Sequence, residues 1–371
     1  MQNMLRLKKS AVLILAWILA LSSCALPQIN RTPNSTFELT SKSYSEVKGE
    51  EMLSLENYKY LENAEKIPFD YDTREFNLKN AWWLSELSGI SYLPNNEAAS
   101  YFAAAGFSEV DFFSEESTQV YILSNDHGTI LVFRGTEGKQ TQAVLDWIAD
   151  LGVALASNEY GAGKVHHGFQ RVLNKVWDKI AEYFAKKDRT NRPLWITGHS
   201  LGAALATLAA DRLEKAGANV VALYTFGSPR VANIPFQLAF NVAHYRLVNH
   251  LDIVTTVPYT MAKNYERSGS ATINQILAQM SYIHIGQVKY IDELGTIHDE
   301  LLREENGIDA QDVANMRRLT QKDINKIKES LQNADARTRD KIFDHKIKRY
   351  SINLWNGLIK TLVGMDGKEM K

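Results

Sequence analysis

The stretch from residue 193 to residue 202 reads Pro-Leu-Trp-Ile-Thr-Gly-His-Ser-Leu-Gly, and an alanine- and leucine-rich run follows it. The apolar start predicts a short strand, and the later run predicts a helix with Gly217 as its C-terminal cap. Gly-x-Ser-x-Gly between a strand and a helix is typical of a tight turn that holds a reactive serine above a sheet. Gly198 and Gly202 leave room where a Cβ would collide with neighbouring backbone. The stretch therefore predicts Ser200 as a nucleophile, with helix N-terminal amides directed at a developing negative charge.

Strands and helices alternate on both sides of this turn. Besides the strand before Ser200, strands are predicted over 119–123, 129–133, 220–226, 243–248 and 283–291, and helices over 81–92 and 165–184. Such alternation indicates a mostly parallel sheet that is covered by helices on both faces. The predicted fold class is α/β, and residues 76–371 are expected to form the folded domain.

Composition allows one large domain and excludes several other classes. The chain has 371 residues, of which 45% are hydrophobic and 23% charged, so a core can be buried. The formal net charge is −1, so no basic excess draws the chain onto a nucleic acid. The single cysteine, Cys24, rules out an internal disulfide and zinc sites built on several thiolates. His166, His167 and His250 have no metal-site spacing and are interpreted as core or loop histidines. Chemistry carried by a serine nucleophile requires no metal or organic cofactor, so none is expected.

The first residues have the pattern of a targeting segment. Arg6, Lys8 and Lys9 precede an unbroken apolar run over 11–21, which is short for a bilayer span but suits a signal peptide. The run ends in Leu-Ser-Ser-Cys24, which resembles the lipobox of bacterial lipoproteins. The resemblance implies cleavage before Cys24 and lipidation of its thiol. The alternative is an ordinary signal peptide with an incidental Cys24.

These features predict how the N-terminal part is organised. Residues 1–23 are expected to be a lipoprotein signal peptide, and residues 24–75 a polar tether between a lipid anchor and the domain. Several lipid chains on Cys24 would hold the protein to a membrane, since one chain anchors only marginally. The protein is therefore expected to be exported and lipid-anchored to a bacterial membrane. Ala25 is compatible with the outer membrane if the organism has two membranes.

Six ordered blocks of the sequence resemble the class 3 lipases, the family of the filamentous-fungal triacylglycerol lipases. The blocks are VFRGT (132–136), DWIADL (146–151), HHGF (166–169), TGHSLG (197–202), TFGSPR (225–230) and DIV (252–254). The similar region runs from about residue 80 to 290, with a final piece near residue 345. The resemblance implies the α/β-hydrolase fold and a serine ester hydrolase.

In that fold the serine comes first in the sequence, the acid second and the histidine third. This order gives one favoured acid and three candidate histidines. Asp252 follows a predicted strand, where its carboxylate would orient an imidazole, although a surface-loop aspartate has the same local appearance. His284, His298 and His345 come after it. His345 is favoured because it precedes Tyr350 in a segment that resembles the family's closing block. His284 matches a family histidine that is not the base, and His298 lies in a predicted hairpin turn.

The resemblance also implies the remaining parts of the site. Two residues are expected to donate hydrogen bonds to the oxyanion. Leu201 donates through its backbone N–H, and Thr136 donates through its backbone N–H with help from its hydroxyl. Residues 137–148 stand where the fungal lipases carry a lid, and either a mobile lid or a fixed helix fits the pattern. Residues 296–341 are predicted to be a charged helical insertion before the last catalytic block, which accounts for the long separation of Asp252 and His345.

The sequence thus predicts a serine ester hydrolase that acts on lipid or other carboxylic esters. Triacylglycerol lipase, phospholipase A1 and carboxylesterase are the types considered. The alternative is a lipoprotein that uses a hydrolase-like fold as a non-catalytic binding or interaction module. The enzyme is favoured because a pseudoenzyme usually lacks one triad member, whereas every member has a candidate here. The expected partners are the ester substrate and the membrane, with no nucleic acid.

Overall fold

The structure is a computed structural model that describes residues 58–136, 154–258, 279, 281–292, 295–301 and 344–363. The predicted signal peptide, Cys24, most of the predicted tether, the predicted lid and residues 302–341 of the predicted insertion lie outside these ranges. No helix within the described ranges combines the length and the apolar character needed to cross a membrane.

The described ranges contain seven α-helices and ten strands, labelled here in chain order. The helices are α1 (Leu78–Ile90), α2 (Asn95–Ala104), α3 (His167–Phe184), α4 (Lys187–Thr190), α5 (Leu201–Lys215), α6 (Ile234–Ala239) and α7 (Ile347–Val363). The strands are β1 (Glu109–Glu115), β2 (Thr118–Asn125), β3 (Gly128–Phe133), β4 (Leu155–Ser157), β5 (Lys164–His166), β6 (Leu194–His199), β7 (Val220–Phe226), β8 (His244–Asn249), β9 (Gln287–Ile291) and β10 (Ile297–His298).

Eight of these strands form one sheet in the order β1-β2-β3-β6-β7-β8-β9-β10. The five strands from β3 to β9 pair in parallel, and antiparallel pairs occur at the two ends, β1-β2-β3 and β9-β10. Strands β4 and β5 form a separate antiparallel pair. The predicted α/β class with a mostly parallel sheet is confirmed.

Helices cover both faces of the sheet. Successive side chains of a strand point to opposite faces, so the buried strands present apolar side chains to a helix layer on each side. Ile196 of β6 belongs to the core formed with α3 and α5. The next residue, Thr197, faces the other way, and its Oγ1 lies 3.2 Å from Ser88 Oγ of α1. On that face α1 packs against α7, with the rings of Trp82 and Trp355 5.0 Å apart. Strand β6 is buried along its whole length, as a central parallel strand should be.

This topology brings the candidate residues to one edge. The carboxyl ends of neighbouring parallel strands lie side by side, and ligand sites in open α/β sheets form there. Thr136 follows β3, Ser200 follows β6 and Asp252 follows β8. The three residues are thus carried by loops of the same edge.

Several predicted element boundaries differ from the structure, each for a local reason. Helix α1 begins at Leu78, before the predicted residue 81, because the Asn77 side chain accepts hydrogen bonds from the first amides. The predicted helix from residue 165 begins at His167 instead, because His166 ends β5 and caps α3. The late strand predicted from residue 283 begins at Gln287, after Gly286 with its φ of 86°.

The boundaries predicted at residues 76 and 296 also differ from the structure. Residues 58–75, assigned to the tether, include an aromatic segment that packs on the domain, with Phe69 5.4 Å from the ring of Trp195. The folded domain therefore includes Tyr58, whose hydroxyl donates to the buried Glu86. At the start of the predicted helical insertion, residues 297 and 298 form β10, paired with β9.

Candidate active site

The serine turn joins β6 to α5 through a single residue. Ser200 has φ 60° and ψ −127°, a conformation that L-residues rarely adopt, and its N–H donates to Phe226 O at 3.0 Å. A Cβ at Gly198 would overlap the carbonyl of Gly202 in the first turn of α5. The backbone therefore reaches this strained turn only because position 198 has no side chain, as the sequence predicts.

Gly202 brings the end of β3 against the same turn. A Cβ at this position would overlap the carbonyl oxygen of Phe133, the last residue of β3. The chain then continues through Gly135 to Thr136, whose Oγ1 is buried and has no hydrogen-bond partner among the described residues. Leu201 occupies the first position of α5, where an N–H has no acceptor within the helix. Both predicted oxyanion donors thus adjoin the turn that carries Ser200.

Asp252 lies in the loop after β8 and caps a short 3-10 turn at Ile253–Thr256. Its carboxylate accepts hydrogen bonds from Val254 N–H at 2.9 Å, from Tyr350 OH at 2.6 Å and from His345 Nδ1 at 2.9 Å. An ionised carboxylate only accepts, so His345 Nδ1 donates to it, and in the neutral imidazole the lone pair is then on Nε2. His345 Nε2 is buried and has no hydrogen-bond partner in the part of the chain that the structure describes.

His345 also reaches the serine turn. His199, the residue before Ser200, lies with its Nε2 2.6 Å from His345 O. The two imidazole rings are 4.5 Å apart and inclined by 31°. A nucleophile candidate, an acid and an imidazole with a free Nε2 therefore meet at one edge of the sheet, although His345 is 93 residues from Asp252 in the chain.

The other two candidate histidines have different partners. His284 Nε2 donates to Thr255 O at 2.7 Å, and burial, with Arg246 and Arg230 nearby, lowers its pKa well below the usual value. His298 Nε2 lies 2.9 Å from Asp292 Oδ2, beside the turn between β9 and β10. Of these three histidines, His345 is the one that the structure pairs with Asp252.

A second layer of polar groups joins the two loops that hold Asp252 and His345. We call this region, residues 249–252 and 344–353, the acid–histidine corner. Asp344 Oδ2 accepts from Leu251 N–H and from His250 Nδ1, both at 3.1 Å, and Oδ1 accepts from Arg349 at 3.1 Å. Asn249 Nδ2 donates to Asp344 O at 2.9 Å. Because Asp344 is buried, these contacts fix the backbone on which His345 sits.

Tyr350 and Gly227 complete the corner. The Tyr350 hydroxyl accepts from Asn249 N–H at 3.0 Å and donates to Asp252, and burial beside that carboxylate raises its pKa. Gly227 has φ 59°, and a Cβ there would lie 2.6 Å from Asp252 Oδ2 and 2.8 Å from His345 Nδ1. Both residues lie in segments that resemble the family, but the sequence alone predicts no role in the site for either of them. The available signal was their place in the blocks that resemble the family: Gly227 in 225–230 and Tyr350 in the segment after His345.

No group of three or more histidine, cysteine, aspartate or glutamate side chains in the described ranges could hold a metal ion. Of the histidines considered for a metal, His166 caps α3 and stacks on Phe169, with ring centroids 4.1 Å apart. His250 belongs to the acid–histidine corner.

Comparisons with known proteins point to one family. Residues 130–262 match the family model described as Lipase (class 3). The lipase ZK262.3 of Caenorhabditis elegans is 32% identical over 134 residues, which cover 34% of this chain and 37% of that protein. Phospholipase A(1) DAD1 of Arabidopsis thaliana is 31% identical over 162 residues, which cover 37% of this chain and 35% of that protein. The chain thus spans about a third of the length of these curated relatives.

Solved structures of fungal lipases are also similar. The lipase from Rhizopus microsporus var. chinensis has a TM-score of 0.44 and 23% identity, with 58% of this chain and 75% of that chain covered. The triacylglyceride lipase of Rhizomucor miehei has the same TM-score and identity, with 58% and 80% covered. The family match includes Thr136, Ser200, Leu201 and Asp252. Over the segment that carries its candidate nucleophile and acid, the chain is therefore similar to the class 3 lipases.

Proposed function

We propose that the protein is a serine carboxylic-ester hydrolase in which Ser200, His345 and Asp252 form the triad. The observation that carries this proposal is the buried hydrogen bond between His345 Nδ1 and Asp252, formed beside the strained turn of Ser200. This pairing leaves His345 Nε2 without a partner among the described residues, and His345 contacts the serine turn through His199. Backbone strain such as that of Ser200 is concentrated at functional sites.

The reaction proceeds in two halves. Ser200 Oγ attacks the ester carbonyl carbon while His345 Nε2 takes its proton, and Asp252 stabilises the imidazolium. The tetrahedral oxyanion accepts hydrogen bonds from the N–H groups of Leu201 and Thr136 and from the Thr136 hydroxyl. His345 then gives the proton to the departing alcohol, which leaves an acyl ester on Ser200. Water then attacks this ester while His345 Nε2 takes its proton, and collapse of the second tetrahedral intermediate returns that proton to Ser200 Oγ and releases the acid. The nucleophile, the base, the acid and the oxyanion donors of these steps all come from the chain itself.

Lipid esters are the proposed substrate class. The relatives include proteins named phospholipase A1 and a secreted mono- and diacylglycerol lipase, LIP1, of Malassezia globosa, which is 33% identical over 102 residues. These names favour acyl glycerides or phospholipids over short soluble esters.

The experiment is turnover of a p-nitrophenyl ester series and of a phospholipid by the full chain, with Ser200→Ala as the blank. Turnover that disappears in Ser200→Ala supports the proposal, and its dependence on acyl length separates lipase from esterase activity. A folded protein without turnover, even with lipid surfaces present, would instead favour a non-catalytic binding module.

We also propose that Cys24 carries a lipid anchor and that the protein is exported to a bacterial membrane. The support is the sequence alone: the basic start, the apolar run over 11–21 and the Leu-Ser-Ser-Cys24 motif. Mass spectrometry of the protein expressed in a bacterium is expected to find Cys24 as the acylated N-terminal residue. Cys24→Ser is expected to move the protein from the membrane fraction to the soluble one, and acylation absent from wild type would refute the proposal.

A further inference from the structure

Tyr92 and His199 form a chain of hydrogen bonds that the proposed mechanism does not use. His199 Nε2 lies 2.6 Å from His345 O, and a carbonyl oxygen only accepts, so Nε2 carries the proton. His199 Nδ1, 2.8 Å from Tyr92 OH, is then the acceptor, and the tyrosine hydroxyl donates to it. The Tyr92 oxygen also packs against the backbone of Gly135, where a Cβ would have no room.

Each end of this chain lies next to a group with a proposed role. Gly135 precedes Thr136, and the close approach is tight, since a Cβ at Gly135 would overlap the Tyr92 hydroxyl. His199 precedes Ser200 in the turn. His345 is the proposed base itself, and its main-chain carbonyl is the last acceptor. Gly135, His199 and His345 are therefore joined through Tyr92 by one close packing contact and two hydrogen bonds.

We propose that Tyr92 and His199 are positioning residues that set the spacing of the oxyanion donor, Ser200 and His345. This inference rests on the proposed function. Asp252 holds the His345 ring by Nδ1, and His199 holds the backbone of the same residue, so the direction of Nε2 is fixed at two points. Loss of either point lets the imidazole turn away from the serine, and misplacement by about 1 Å costs on the order of 10²-fold in rate.

The electrostatics of His199 suit this role. Burial lowers its pKa well below the usual value, with the neighbouring His345 as a second cause. A neutral ring retains the single proton that the chain of hydrogen bonds needs. It also avoids repelling the positive charge that His345 acquires during turnover, at a ring separation of 4.5 Å.

The first test compares three variants of the full chain on p-nitrophenyl butyrate. His199→Leu removes both hydrogen bonds and is expected to lower kcat about 30-fold with KM changed less than about twofold. His199→Gln places an amide donor near the former Nε2 and is expected to recover most of that loss. Tyr92→Phe removes one hydroxyl and is expected to lower kcat about fivefold. A structural defect alone would not be reversed by glutamine while sparing KM.

The second test does not depend on turnover. Nitrogen-15 NMR of labelled histidines is expected to find His199 neutral with its proton on Nε2 at pH 7. A charged ring, or a proton on Nδ1, would overturn the inference. A wild-type kcat in His199→Leu would also overturn the positioning role, while the proposed function would still stand. If the wild-type chain has no turnover that depends on Ser200, the proposed function and the positioning role fail together, whatever the tautomer. Should His199→Leu not fold, Tyr92→Phe and the NMR measurement decide.

Discussion

The serine turn and the acid–histidine corner are held in place by different kinds of interaction. At the turn, sterics dominate: two glycines, a residue at φ 60° and a backbone hydrogen bond to Phe226 O fix Ser200 without a side-chain cap. At the corner, buried side chains dominate, because Asp344, Asn249 and Tyr350 connect the end of β8 to the start of α7 by hydrogen bonds. A steric turn tolerates almost no change, whereas a hydrogen-bonded network weakens one contact at a time.

The largest expected effect tests which histidine completes the corner. His345→Ala removes the general base and is expected to lower kcat by roughly 10⁴-fold or more. His298→Ala is the control, because that histidine pairs with Asp292 beside a turn and is expected to leave kcat within about threefold of wild type.

His284→Ala is a stricter control, because the residue is hydrogen-bonded to Thr255, in the 3-10 turn that Asp252 caps. It loses a hydrogen bond to Thr255 O, so a stability loss of about 1–3 kcal/mol is expected without a comparable loss of kcat. Kinetics at pH 7 on the three purified variants decide. Loss of turnover in His284→Ala with activity preserved in His345→Ala would reverse the assignment of the base.

The next effect tests the steric character of the turn. Gly202→Ala places a Cβ against Phe133 O and is expected to destabilise the fold by about 2–4 kcal/mol and to displace β3 from the turn. Gly217→Ala is the matched control: it lies after the same helix at φ 86° with no atom within 4 Å. Its expected cost is about 1 kcal/mol, from backbone strain alone. Chemical denaturation measures both, and equal losses would contradict the steric explanation.

The same contrast explains what the sequence could predict. Gly198 and Gly202 contact each other and are four residues apart, so the sequence pattern and the turn that it predicts are both local. The contacts of Asp344 with Leu251 and His250 join segments more than 90 residues apart, and nothing in the sequence marks Asp344 as buried. The triad order cannot identify His345, because all three candidate histidines follow Asp252 in the sequence. The resemblance of its segment to the family's closing block is what favours it.

The hydroxyl of Tyr350 tests how the corner weakens. Tyr350→Phe keeps the ring but leaves Asn249 N–H without its acceptor and Asp252 without one donor. We expect a stability loss of about 1–2 kcal/mol and a kcat lowered about tenfold, because the carboxylate holds His345 less firmly. Thermal unfolding and kcat measured on the same preparation test this. A collapse of activity as complete as that of His345→Ala would show that the corner does not weaken gradually.

The smallest effect concerns Thr136, the proposed donor to the oxyanion that forms when Ser200 attacks and His345 takes its proton. Removal of a whole oxyanion donor costs about 10²–10³-fold, but Thr136→Val keeps the backbone N–H and loses only the hydroxyl, so a decrease of about tenfold in kcat is expected. Valine matches the shape of threonine, and the buried Oγ1 has no described partner, so stability is expected to be unchanged or slightly higher.

Thr118→Val supplies the matched control for this comparison. Its hydroxyl is also buried without a partner among the described residues, but it lies at the start of β2, the strand next to β3, and has no proposed catalytic role. Both variants lose the same atom from similar surroundings, so a decrease in kcat confined to Thr136→Val assigns the effect to the oxyanion. Equal kcat in the two variants would mean that the Thr136 hydroxyl contributes nothing and that its N–H carries the whole contribution of that residue.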